Sequence, residues 1–195
     1  MLKTKVILSS VTNLSDARYA AGMGVDYIGY SINPESSSYV TLEQAKMISN
    51  WLSGVSFIGD IDNALIVNRD DYATDYIQTN NFELIDELEE PIVTIDLEAW
   101  QDEAFVALLE ELSKKVSFFI LKMPADQLTN LKPQLTKICG KVPVFISTDF
   151  DAQNIEVVVN EINPRGIVLY GSNEVKPGFS SYDGIADILE LLEVD

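Results

Sequence analysis

Residues 116–122 read VSFFILK, in which Phe118, Phe119, Ile120 and Leu121 form an unbroken apolar run closed by Lys122. A strand with one solvated face alternates apolar and polar side chains, so an unbroken run of this kind suits a parallel strand covered on both faces. Seven further runs share the character: KVILS (5–9), VDYIGYSI (25–32), VSFIGDI (55–61), DYIQT (75–79), IVTID (92–96), VPVFIS (142–147) and GIVLY (166–170).

Helical signals fill the gaps. Thr41 and Gln44 make a capping box ahead of a stripe of Ala45, Ile48 and Leu52. Asn81 caps FELIDELEE, which Pro91 stops, and the acidic run 85–90 reads as its solvated face. Asp102 opens EAFVALLEELSKK, with acid first and lysines last, as the helix dipole favours. LTNLKPQLTKIC ends at Gly140, a left-handed cap by its residue type. Asp151 opens AQNIEVVVNEI, which Asn163-Pro164 ends. The last helix, YDGIADILELLE, carries Ile185, Ile188, Leu189 and Leu192 on one face. Two helices are weak: 13–22 is short, and 63–73 has a poor apolar stripe. Eight strand–helix units with no long linker predict a single compact α/β domain over residues 1–195, a closed (β/α)8 TIM barrel. An open doubly wound sheet is the runner-up. It normally carries a glycine-rich turn after the first strand, where this chain has SSVTN (9–13).

Charge and composition narrow the function classes. The 195 residues carry 31 Asp and Glu against 13 Lys and Arg, a formal net charge of −18. Such a surface repels phosphate backbones and anionic headgroups, so neither a nucleic acid nor a membrane is expected as partner. No histidine is present. That excludes a Ser-His-Asp triad, a Cys-His pair and any His-ligated metal. The one cysteine, Cys139, forms no internal disulfide, which fits a reducing compartment. The apolar run Val6–Leu8 is too short for a signal-peptide core, and no stretch approaches the roughly 18–20 apolar residues of a membrane span. The expectation is a soluble cytoplasmic protein without cofactor or metal, taking a small-molecule ligand, as monomer or homodimer.

Residues 11–49 carry three linked motifs: T-N-L-x-D-A (12–17), G-V-D-x-I-G-Y (24–30) and S-x-x-Y-V-x-x-E-x-A (36–45). With the glycine-containing NEVKPGFSSYDGI (173–185), they resemble phosphoribosylanthranilate isomerase, a tryptophan-pathway barrel of the ribulose-phosphate-binding type. The middle of the chain, about 64 to 140, follows that family only in the order of its elements. The resemblance implies an Amadori rearrangement of an aminoaldose to an aminoketose, which needs a general acid and a base that moves a proton from carbon.

The same resemblance places the family's functional positions on substituted residues. The catalytic cysteine at the end of the first strand falls on Ser9, and a serine hydroxyl is many pKa units too weak to replace a thiolate. The aspartate ending the sixth strand falls on Lys122, and the substrate-gripping arginine on Ser38. Of the phosphate loops, the seventh reads STDF (147–150), with Ser147 and with Asp149 in place of a glycine. The eighth continues through Gly171 and Ser172, and the lysine and aspartate of the final G-x-K-D become Ser180 and Ser181. The chain therefore reads as a degenerate relative that has lost the isomerase chemistry. In the alternative, Ser9 marks the base's position while Asp60 or Asp96 moves the proton from a rebuilt site. The tetrapeptide KICG at 137–140 ends a helix and lacks the T-N-L-x-D-A continuation, so Cys139 reads as a buried residue beside a cap.

Barrel active sites lie at the C-terminal ends of the strands. The candidates there are Ser9, Ser31, Asn33, Asp60, Asp62, Gln78, Asp96, Lys122, Ser147, Asp149 and Tyr170. Asp60 and Asp62 share strand parity, and with Asp96 and Asp149 they are expected to surround Lys122. Three readings stay open for this cluster: a solvated acidic rim, a hard-cation site, and a Schiff-base lysine. No D-x-D-x-D-G calcium loop is present, and nearby carboxylates would raise the lysine's pKa rather than lower it. Trp51 and Trp100 are expected to pack against the barrel, and Tyr27, Tyr30 and Tyr39 to rim the pocket or join the core. A mouth ringed by carboxylates should hold phosphate poorly, at millimolar affinity or weaker. Replacing Asp149 by glycine is expected to strengthen phosphate binding, measured by calorimetry.

Overall fold

The computed structural model describes residues 1–64, 69–97, 103–171, 174–176, 179–180 and 183–194. The eight apolar runs are all strands: β1 (Lys5–Ser9), β2 (Tyr27–Ser31), β3 (Ser56–Asp60), β4 (Tyr76–Thr79), β5 (Ile92–Asp96), β6 (Phe118–Lys122), β7 (Val144–Ser147) and β8 (Gly166–Tyr170). Each pairs in parallel with the next, and β8 returns to β1 over five residue pairs, from Lys5 with Gly166 to Ser9 with Tyr170. The barrel is closed, so no strand edge is left unpaired. A short antiparallel pair, β9 (Glu174–Lys176) and β10 (Phe179–Ser180), follows β8.

The helices are α1 (Leu14–Gly22), α2 (Leu42–Asn50), α3 (Glu103–Leu112), α4 (Leu128–Cys139), α5 (Asn154–Val157, running on as a π turn to Ile162) and α6 (Asp183–Leu191). Asn13 caps α1 by accepting from the Asp16 amide at 2.9 Å, and the Thr41–Gln44 capping box of α2 is present in both directions. Asn163 ends the π turn in the left-handed region, φ 54°.

Of the segment 63–73, expected as a weak helix, residues 65–68 lie outside the described residues, and Arg69–Asp71 form a 3-10 turn. Two local expectations fail. The helix expected over 82–90 is a 3-10 turn at Phe82–Leu84 followed by turns. Its carboxylates fall at repulsive i, i+3 and i, i+4 spacings (Glu83 with Glu87, Asp86 with Glu89 and Glu90), with no basic residue among them. Gly140 closes α4 with φ −72°, a right-handed cap that needed no glycine.

Strand parity sorts the side chains into two cores. One set faces the helices, led by Val6, Leu8, Ile28, Tyr30, Phe119, Leu121 and Ile146. The other fills the barrel: Ile7, Tyr27, Ile58, Ile92, Phe118, Ile120, Phe145 and Val168, with Tyr76 against them. At the N-terminal end of the barrel the filling is aromatic. Phe118 and Phe145 stack at 4.6 Å between ring centroids, and Tyr27 meets each at 5.7 Å. Arg165 lies 5.5 Å from the Phe118 ring and Lys5 5.8 Å from Tyr27, cations over the faces of the plug. Tyr27 and Tyr30 are therefore core residues. Tyr39 is a half-buried tie whose hydroxyl meets that of Tyr72 at 3.1 Å. Trp51 corrects its expectation: it follows α2 and is 68% exposed, because α2 turns its Ala45–Ile48 face inward. Trp100 lies outside the described residues. Among the described residues no helix is long and apolar enough to cross a membrane.

The plug has one tight point. A Cβ on Gly166 would sit 2.3 Å from Phe145 Cε1 and 2.4 Å from the Lys5 carbonyl oxygen. The second contact is backbone, so side-chain repacking alone cannot relieve it. Gly166→Ala is expected to cost at least about 2 kcal/mol, at or above the usual overpacking range, read as a drop in urea midpoint at unchanged m-value.

Candidate functional site

At the other end of the barrel the inward-facing series gives way to polar groups. Two residues beyond Ile7, Ile58, Ile120 and Val168 the same faces carry Ser9, Asp60, Lys122 and Tyr170. The aromatic plug closes the bottom, so these groups meet only at the mouth. They line a cavity of about 200 Å³ together with Ser10, Ser31, Ser36, Ser38, Asp62, Gln78, Asn80, Thr94, Ile120 and Val168.

Asp60 is its best-held charged group. Its Oδ1 accepts from the Asp62 amide at 2.9 Å and its Oδ2 from Gln78 Nε2 at 3.0 Å. Burial of its carboxyl, with Asp62 nearby, pushes its pKa up to about 6, against the pull of the Asp62 amide and the Lys122 charge. Asp62 has φ 51°, a left-handed backbone held in place by its neighbours. Its carbonyl accepts from Thr79 Oγ1 at 2.6 Å and from the Asn80 amide at 3.0 Å, and its carboxylate accepts from Asn33 Nδ2 at 3.4 Å. Ser10, after β1, also has a positive φ, 58°. Two non-glycine residues in this region at one rim cost about 1–3 kcal/mol each, strain of a kind that gathers at binding sites.

On the far side Lys122 is exposed and lies 5.8 Å from the Tyr170 ring, whose hydroxyl meets Ser147 Oγ at 2.8 Å. Ser38 donates its amide to Ser36 Oγ at 3.3 Å, and their hydroxyls meet at 3.1 Å. Gly171 donates its amide to the Ser9 carbonyl at 2.8 Å, so the loop after β8 packs directly on the end of β1. Thr94 Oγ1 is buried in the wall without a hydrogen-bond partner among the described residues.

The structure thus brings together Ser9, Ser31, Ser38, Asp60, Asp62, Gln78, Lys122 and Tyr170 from the expected set. It corrects the ring of four aspartates. Asp96 is the strand-register partner of Lys122 yet is exposed and does not line the cavity, and Asp149 is exposed in the loop after β7 with its carbonyl accepting from Asn154 Nδ2. Ser147 is one contact removed, behind Tyr170, and Asn33 sits behind Asp62. Ser172 and Ser181 lie outside the described residues, as does the side chain of Ser180. The expectation missed Ser10, Ser36, Asn80 and Thr94. Parity would have found Thr94, two residues before the end of β5; Ser10, Ser36 and Asn80 belong to loops with no such period. Among the described residues, no group of three or more acidic or cysteine side chains could hold a metal ion. Cys139 is remote from this mouth, half-buried at the end of α4, and burial pushes its thiol up to about 12, so it carries no thiolate.

Known proteins similar to the chain include several phosphoribosylanthranilate isomerases. The chain is 25% identical over 204 residues to the N-(5'-phosphoribosyl)anthranilate isomerase of Sulfurihydrogenibium sp., covering 96% of this chain and 98% of that protein. A monomeric form of the dimeric phosphoribosylanthranilate isomerase of Thermotoga maritima superposes with a TM-score of 0.73 at 19% identity, over 97% of this chain and 98% of that one. A phosphoribosylanthranilate isomerase solved with reduced 1-(o-carboxyphenylamino)-1-deoxyribulose 5-phosphate superposes at 0.74 and 18% identity, with the same coverage. No protein-family model matches the chain. The chain is thus a closed (β/α)8 barrel similar over nearly its whole length to phosphoribosylanthranilate isomerases.

The raised Asp60 pKa has a sign that can be tested. Between its unfolded value near 4 and its folded value near 6, the folded state holds the extra proton, so Asp60's contribution to stability is full below pH 4 and is lost as pH rises through 6. Two pKa units correspond to about 3 kcal/mol. Asp60→Asn is expected to stabilise the protein by about 1–3 kcal/mol at pH 8 and to lose that advantage near pH 4, read by urea unfolding across the pH range.

Proposed function

We propose that this chain binds a small molecule at the barrel mouth and does not catalyse the isomerisation that its relatives are named for. The observation that carries the reading is Ser9. It ends β1, is 6% exposed and lines the cavity, at the position where the resemblance expects a thiolate base. A buried serine hydroxyl has no comparable basicity, and the chain has no histidine to activate it. Lys122 lines the same cavity, at the position where the resemblance expects an aspartate as acid, and a lysine does not supply the carboxyl which that role uses. Ser38 replaces the arginine that would grip an anionic substrate.

A second reading has one observation in its favour. Asp60, with a pKa near 6, is suited to proton transfer at neutral pH, which is how barrels and other folds turn an ordinary carboxyl into a general acid or base. In that case the isomerase persists on a rebuilt site.

Two measurements separate the readings. Purified protein is expected to show no phosphoribosylanthranilate isomerase turnover, and the gene is expected not to rescue a tryptophan auxotroph lacking that enzyme. Turnover in the ordinary range of about 1–10³ s⁻¹, abolished by Asp60→Asn, would establish the second reading instead.

A further inference from the structure

We infer that the mouth cavity takes a neutral, unphosphorylated polyhydroxy compound the size of one sugar ring; the inference rests on the binding reading above. Size comes first. The cavity holds about 200 Å³, below the roughly 300–1,000 Å³ of sites that enclose drug-sized ligands. The compound bound to the solved relative joins an aromatic ring to a phosphorylated pentulose. A single ring matches that volume.

The lining chemistry selects among single rings. Ser9, Ser36 and Ser38 present hydroxyls that donate or accept as the partner requires, while Gln78 and Asn80 add amides with both functions. Asp60 accepts only, and an ionised carboxylate in a low-dielectric wall is a strong acceptor for ligand hydroxyls. Its two oxygens are already aligned by the Asp62 amide and Gln78, so binding does not have to order it. At the rim Tyr170 is 42% exposed and is tethered through its hydroxyl to Ser147, offering a ring face to the C–H side of a sugar.

Charge then argues against the ester. The acidic and basic side chains of the wall are Asp60, Asp62 and Lys122, two carboxylates against one ammonium, a formal charge of −1. A phosphate dianion there meets two carboxylates and one ammonium, within a molecule of net charge −18. A neutral polyol meets the same hydrogen-bonding groups without that repulsion.

The test is calorimetry of the intact protein at neutral pH with D-ribose, D-xylose, D-glucose and ribitol, beside ribose 5-phosphate and inorganic phosphate. At least one neutral compound is expected to bind about tenfold or more tightly than ribose 5-phosphate. Its Kd should change less than about twofold between about 50 mM and 0.5 M salt, since no net charge is matched. Asp60→Asn should weaken that binding about tenfold, the loss of one hydrogen bond to a charged group, and Lys122→Met less than about threefold. Ser38→Ala, at a half-buried site, serves as a second lining variant and should also weaken it. Binding of the phosphate ester as tight as or tighter than the neutral sugars overturns the inference, as does the failure of all four neutral compounds to bind at millimolar concentration. Isomerase turnover would show a phosphorylated, two-part substrate in the same mouth and so overturns both the binding reading and the ligand class, whereas tight binding of ribose 5-phosphate without turnover overturns the ligand class alone.

Discussion

The contact between the Phe145 ring and the bare backbone of Gly166 decides where this molecule can do chemistry. Phe145, Phe118, Tyr27 and Tyr76 occupy the lower half of the barrel, and only a residue without a side chain leaves room for the first of them beside the Lys5 carbonyl. Filling the lower barrel with rings leaves no aqueous route through it, as the packed interior of an eight-stranded barrel requires. The upper half then holds smaller side chains, and the polar ends of the inward series converge on one enclosed space. Aromatic bulk at one end and cavity at the other are two results of the same packing.

Strand order was legible because a parallel barrel strand is apolar on both faces, a signal that survives without knowledge of partners. FFIL in β6 and IVL in β8 each carry it alone. The failed helix over 82–90 shows the complementary case. A short helix on a barrel surface depends on docking of its apolar stripe more than on intrinsic propensity. The 82–90 segment has that stripe only in Leu84, Ile85 and Leu88, while its carboxylates repel one another along the chain. Periodicity read the apolar residues correctly and could not weigh the repulsion.

The candidate site was legible through the same period of two and no further. Ser9, Asp60, Gln78, Lys122 and Tyr170 were found because each ends an inward series. Asp96 shares that parity yet stays out of the cavity wall, since parity gives a direction and not a depth. Ser10 sits on left-handed backbone after β1, outside any strand period; Asp62 was found by its parity with Asp60, although its own left-handed backbone was not foreseen. Asp62 is held there by its amide to Asp60, its carbonyl to Thr79 and Asn80, and its carboxylate to Asn33, contacts that exist only once β2, β3 and β4 are assembled.

That dependence explains how a fold can be kept while its chemistry changes. The packing that positions the mouth lies in the plug and the outward core, neither of which contains Ser9, Lys122 or Ser38. Substituting those three alters charge and basicity at the rim with little effect on the rings below. Asp60 is different, because it is both a cavity group and a desolvated carboxylate whose ionisation opposes folding at neutral pH. A purely structural position would be better served by asparagine, which keeps the acceptor for the Asp62 amide without the charge. A carboxylate held at that cost in the wall of the cavity is what a group placed to meet a ligand shows, because perturbed carboxyls gather at functional sites.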